Sequence, residues 1–198
     1  MGLDKAALPF GPETMLARVV RLLSSVVQPI VVVTADGQSL PDLPDDVLLA
    51  SDKHPDRGPL EALYAGLQEI EADVDAVYAT SCDVPLLVPA VVSYLVEQLG
   101  EHDIAVPHDQ RYHHPLSAVY RTSVIPHIEA LLAADRLRPF FLFDTASTRE
   151  VPVDELRGLD PNLDTLANLN RPEDYLAALD RAGFEPDPEV IAALRYDG

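Results

Sequence analysis

The sequence predicts a single three-layer α/β domain, a mostly parallel sheet with helices on both faces, and three observations lead there. Strand-like runs alternate with stretches of helical periodicity along most of the chain. Several of those runs, PIVVVTADG above all, are continuously apolar and β-branched, as strands covered on both faces are. At 198 residues, one core can remove roughly 70% of the unfolded chain's surface from water.

In chain order, GPETM opens a helix with Pro12 in its first turn, and Met15, Leu16, Val19, Val20, Leu23, Val26 and Val27 mark its buried stripe. Gln28-Pro29 ends it, and PIVVVTADG is the first buried strand. VLLAS follows a Pro/Asp-rich connection as a second strand. After the loop SDKHPDRG comes a helix from Pro59, with Leu60, Leu63, Tyr64, Leu67 and Ile70 on one face. The unit repeats as strand DAVYATS, loop CDVP and helix VPAVVSYLVEQL. Strand DIAVP, the stretch HHPLSAVYR, helix SVIPHIEALLAA and the segment RLRPFFLFDT continue the domain. TLANLN reads as a last short strand and RPEDYLAALDRAG as a helix. Residues 184–198 read as a surface extension carrying a short helix on a domain that spans 1–198.

Composition narrows the function. The formal charge of −19, from 33 acidic and 14 basic residues, speaks against a surface for nucleic-acid phosphates. No apolar stretch reaches the roughly 18 residues of a membrane span. With no secretory leader pattern and a single cysteine, Cys82, a cytoplasmic location is expected.

In a sheet of this class ligands collect beyond the carboxyl ends of the strands, so the loops there hold the candidate residues. Asp83, directly after VYATS, could hold Mg2+ together with substrate phosphates or simply cap a turn before Pro85. Asp52 ends VLLAS one strand earlier, and Gly58 before Pro59 leaves helix N–H groups open to an anion or merely starts a helix. Asn170 stands three residues before Glu173, the spacing of a capping box, whereas Asn168 has no capping role. The H-x4-H-H interval of His108, His113 and His114 matches no usual zinc pattern. Cys82 has the context of a small buried residue rather than a nucleophile.

Together MGLDKAALPFG, VVVTAD, SDKHPDRGPLEALYAGL, CDVPLL, HHPLSAVYR and NLNRPEDY resemble, in order and over nearly the whole chain, the molybdenum cofactor guanylyltransferase family. The resemblance implies a Rossmann-like nucleotidyltransferase that moves GMP from Mg-GTP to the phosphate of molybdopterin and releases pyrophosphate. It implies that Lys5 binds the triphosphate, that Thr34 and Asp52 contact the guanosine, and that Asp83 binds nucleotide and Mg2+. Asn168, Asn170 and His114 would face the molybdopterin cofactor, and molybdoenzymes or their chaperones would receive the product. Thr34 stands where family members often carry Asn.

The family pattern begins with a buried strand and L-A-G-G-x-S-x-R-M-G-x-D-K, of which this chain shows M-G-x-D-K. The expectation is therefore a sheet without its first strand and glycine-rich loop, an internal methionine at position 1, and a loosely held Lys5. Poor stability and little GTP turnover would follow. The alternatives are a cytidylyltransferase or another small-molecule nucleotidyltransferase of the same fold, and a degenerate relative that binds nucleotide or a partner without catalysis.

Overall fold

The computed structural model describes residues 4–52, 54 and 57–196; the Met1-Gly2-Leu3 part of MGLDK and Lys53, Pro55 and Asp56 of the SDKHPDRG loop lie outside them. The described chain begins with a 3-10 turn at Lys5–Ala7 and a two-stranded antiparallel hairpin, β1 (Pro9–Phe10) and β2 (Glu13–Thr14). Helix α1 (Met15–Leu23) follows. Pro12 thus sits in the hairpin turn rather than in the helix, because Thr14 caps α1 by accepting a hydrogen bond from the Ala17 N–H at 3.2 Å. Gly11 makes the turn possible: its φ is +69°, and a Cβ there would stand 2.6 Å from the Phe184 ring.

Strands β3 (Val31–Ala35) and β4 (Leu48–Asp52) pair in parallel, with Thr34 opposite Ser51 and Ala35 opposite Asp52. Helix α2 (Pro59–Ile70) lies on them, close enough that a Cβ on Gly66 would come within 3.1 Å of Val33. The larger sheet has the order β5–β7–β6–β8, built from β5 (Ala76–Thr80), β6 (Ile104–His108), β7 (Ser117–Arg121) and β8 (Thr148–Pro152). β6 and β8 are parallel, whereas β7 runs antiparallel to both β5 and β6. The helices α3 (Pro89–Gln98) and α4 (Ile125–Ala133) cover opposite faces of this sheet.

Among the described residues no strand pairs the free edge of β3 or that of β5. Helices bridge the two sheets instead: Leu63 and Leu67 of α2 share a core with Val77 and Ala79, while Leu16, Val19 and Val20 of α1 cluster with Val32, Tyr78 and Cys82. All five residues of β5 are half-buried, against four fully buried in each of β6 and β7.

Two short helices, α5 (Phe140–Phe143) and α6 (Val153–Leu156), flank β8. TLANLN is not a strand. The Asp160 carboxylate accepts the Asp164 and Thr165 N–H groups at 3.0 and 2.8 Å and winds Asp164–Leu166 into a 3-10 turn. Helix α7 (Pro172–Ala182) ends at Gly183, and α8 (Pro188–Tyr196) closes the described chain. The C-terminal extension is partly integral: Leu194 is buried with Phe10, Tyr175 and Leu179. No described helix is long and apolar enough to cross a membrane.

Candidate active site

Lys5 is anchored rather than loose. Asp4 caps its 3-10 turn by accepting the Ala6 N–H at 3.0 Å, and the Ala6 methyl is buried against Leu16, Val19 and Val84. The turn is therefore pinned on α1, and the lysine side chain leaves it towards the end of β5. There Ser81, Cys82 and Asp83 turn away from the strand, held by the fully buried Val84 and by Leu87.

Asp83 is the hub. Its Oδ2 accepts from Lys5 Nζ at 2.8 Å, and its Oδ1 accepts from Ser81 Oγ at 2.5 Å and from Asn168 Nδ2 at 2.9 Å. Lys5 Nζ also donates to Asn170 Oδ1 at 2.7 Å, and Asn168 Nδ2 to Ser81 Oγ at 3.2 Å. The Asn-Leu-Asn alternation explains the last arm. Leu169 turns inward to the cluster of Leu8, Phe10 and Tyr175 and donates its N–H to the Asp83 carbonyl at 2.9 Å, so its neighbours project outward on either side of it. Segments around residues 5, 83 and 170 thus converge on one carboxylate that is itself largely buried.

This geometry corrects the capping expectation for Asn170. The α7 N-cap is Arg171, whose N–H is accepted by the Asp174 carboxylate at 3.0 Å, leaving Asn170 free to hold Lys5. Ser81 was missed by sequence reasoning; the only signal was a hydroxyl two residues before an acid at a strand end.

Thr34 and Asp52 lie at the carboxyl ends of β3 and β4, and no hydrogen bond among the described residues joins either to the Lys5–Asp83 cluster. Asp52 is buried and accepts the His54 N–H at 2.9 Å, closing the turn after β4. Gly58, with φ +84°, supplies the sharp entry to α2 that a side chain would disfavour. Beside it, buried Glu61 accepts from Arg57 at 3.2 Å and lies 2.9 Å from His54 Nδ1, a cluster the sequence did not suggest.

His114 sits in the β6–β7 connection. Because Thr80 pairs with Ser117, residues 114–116 lie at the same sheet edge as Ser81–Asp83. Burial holds the His114 imidazole below its usual pKa, so it is neutral at pH 7. Cys82 is half-buried rather than fully enclosed, and desolvation, helped by the Asp83 charge, raises its pKa to about 11, which leaves it a poor nucleophile. The cavity of about 370 Å3 among Ser24, Gln28, Pro29, Ile30, Asp46 and Val47 opens at the opposite end of β3, away from the Lys5–Asp83 cluster, so chemistry rather than volume locates the site.

Comparison with known proteins decides the class. The family model of the MobA-like NTP transferase domain matches residues 1–149. The chain belongs to the MobA-like NTP transferase family. It is 35% identical over 184 residues to a probable molybdenum cofactor guanylyltransferase of Methanosarcina acetivorans, covering 86% of this chain and 80% of that one. A protein of the same description from Mycobacterium bovis is 33% identical over 177 residues, covering 87% and 86%. The molybdopterin-guanine dinucleotide biosynthesis protein A of Archaeoglobus fulgidus superposes with a TM-score of 0.75 at 20% identity over 92% of both chains. The 2-C-methyl-D-erythritol 4-phosphate cytidylyltransferase of Thermus thermophilus superposes with a TM-score of 0.65 at 13% identity, covering 90% and 94%. The fold is that of Rossmann-like nucleotidyltransferases, and nucleotidyl transfer is the enzyme class of this family.

Proposed function

We propose that the chain transfers GMP from Mg-GTP to the phosphate of a molybdopterin-type cofactor, releasing pyrophosphate, in the cytoplasm. The observation that carries this reading is the convergence of Lys5 and Asn168 on Asp83, with Asn170 accepting a hydrogen bond from the same Lys5 ammonium, within a family whose relatives include proteins described as guanylyltransferases. In this reading Lys5 neutralises the triphosphate, which matters in a chain of net charge −19. Thr34 and Asp52 contact the guanosine, while His114, Asn168 and Asn170 line the acceptor half of the cleft. Molybdoenzymes or their chaperones would take up the product.

Asp83 suits Mg2+. It is a hard oxygen donor at a strand end that already draws three donors, one of them a cation, and that ion is usually held by one or two carboxylates together with substrate phosphates. Bound there, the ion would supply charge neutralisation at the phosphates. The chain's own share is positioning: Lys5 and the two asparagines hold the anionic groups while an oxygen of the acceptor phosphate attacks the α-phosphorus. The new P–O bond forms as the bond to the β-phosphate breaks, and pyrophosphate departs. No protein nucleophile is needed, in keeping with the raised Cys82 pKa.

The test is pyrophosphate release from Mg-GTP in the presence of molybdopterin, with Lys5→Met and Asp83→Asn each lowering kcat/KM by about 100-fold to 1000-fold. Equal turnover of CTP would replace this reading with a cytidylyltransferase. Nucleotide binding without any transfer would replace it with a non-catalytic relative.

A further inference from the structure

A second group of side chains stands apart from the Lys5–Asp83 cluster. β6 ends at His108, and the chain reverses through Asp109, whose carboxylate accepts the N–H groups of Arg111 and Tyr112 at 2.8 and 2.7 Å. The Asp109 N–H closes the turn on the Tyr112 carbonyl at 3.0 Å. His108 and His113 thereby become an antiparallel bridge pair, with ring centroids 4.4 Å apart. The parallel neighbour β8 contributes Glu150, opposite Val106 and therefore on the face of the sheet that carries His108. Glu150 Oε1 lies 2.8 Å from His113 Nε2.

One ligand atom from each of His108, His113 and Glu150 falls within 4.8 Å of the other two. Donors bound to zinc at about 2.0–2.1 Å in a tetrahedron are about 3.4 Å apart, so small side-chain rotations close the set. The scaffold is rigid where it matters: the two imidazoles are fixed by a hairpin, and the His113 ring is packed against Phe140 and Phe143 at 5.8 and 4.8 Å. Glu150 is exposed, which gives an ion a route in, and the surrounding charge of −19 favours cations. Two imidazoles and a carboxylate with a free fourth position form a donor set for a borderline divalent ion rather than for Mg2+.

We propose that His108, His113 and Glu150 bind one Zn2+-class cation, which ties the β6–β7 hairpin to β8 at the base of the loop that carries His114. Neither histidine spacing nor the proposed transferase chemistry requires this site, and its existence is independent of that reading.

Co2+ titration of the full chain tests it, because a four-coordinate ion gives strong visible d–d absorption and a six-coordinate ion on a carboxylate site such as Asp83 gives only a faint one. The expected result is one equivalent of four-coordinate Co2+, displaced by one equivalent of Zn2+. His113→Gln abolishes the band, and Glu150→Gln, at an exposed position that leaves the packing untouched, weakens binding by more than the roughly 10-fold to 100-fold that loss of a group behind a ligand costs. His127→Gln, an exposed histidine on α4, leaves the band unchanged. Absence of a four-coordinate band in the unaltered chain, or a band that survives both His113→Gln and Glu150→Gln, overturns the proposal.

Discussion

Replacing Lys5 by Met keeps the length of the side chain while deleting the cation, so it isolates what the ammonium does for Asp83. The pair is neither exposed nor fully buried: the Lys5 side chain is 28% exposed and that of Asp83 9%. Exposed pairs contribute about 0.2–1 kcal/mol, and breaking a fully buried one costs about 3–5 kcal/mol. After the substitution Asp83 Oδ1 keeps Ser81 and Asn168, but Oδ2 loses its only protein donor among the described residues. A loss of about 2 kcal/mol follows, in the range of one hydrogen bond to a charged group. For a chain of this size that lowers Tm by about 4–8 °C. Asp83→Asn should cost less, about 1 kcal/mol, because Lys5 retains Asn170 Oδ1. A double-mutant cycle in urea, repeated in 1 M NaCl where the Debye length is about 3 Å, separates the contact from the general loss of a positive charge. Coupling of about 1–2 kcal/mol at both salt concentrations is expected. Coupling below about 0.3 kcal/mol, the range of independent sites, would refute the claim that Lys5 and Asp83 form one unit.

Other positions give equally direct outcomes. Gly11→Ala forces both a left-handed backbone on a residue with a Cβ and a collision with Phe184, so it should lower stability by about 1–3 kcal/mol in chemical denaturation. Cys82, with its pKa raised from 9.0 to about 11, should react with iodoacetamide at pH 8 about 100-fold more slowly in the folded chain than in urea, the ratio of thiolate populations. Glu13 is held below its ordinary value of 4.5 by Arg21 and Arg18, so its contribution is present above that value and is lost as pH falls through the depressed folded pKa. Glu13→Gln should therefore destabilise the chain at pH 7, with an effect that shrinks as the pH is lowered progressively below 4.5, measured by thermal unfolding across that range.

The alternation of elements was legible because continuous runs such as VVVTA and the amphipathic stripe of α2 depend on local pattern alone. β8 was not, since TREVP places a single residue, Val151, in the core and borrows its strand character from pairing with β6. TLANLN looked strand-like, yet the carboxylate of Asp160 coils its first residues. In the candidate site, Lys5, Asp83 and Asn168 were each visible at a strand end or in a short motif. That Asn170 grips Lys5 across 165 positions, rather than capping α7, is a tertiary fact that the local N-x-x-E spacing concealed. Glu150 was invisible for the same reason: nothing in H-x4-H-H points to a residue one strand away.

The most direct test of the nucleotide site is calorimetric titration of the chain with GTP and with CTP, with and without Mg2+. The account predicts Mg2+-dependent binding of GTP, at least about tenfold tighter than CTP, or about 1.4 kcal/mol. It further predicts that Asp83→Asn removes the dependence on Mg2+ and that Lys5→Met weakens binding of the triphosphate. GTP binding that is indifferent to Mg2+ and to both substitutions would contradict it.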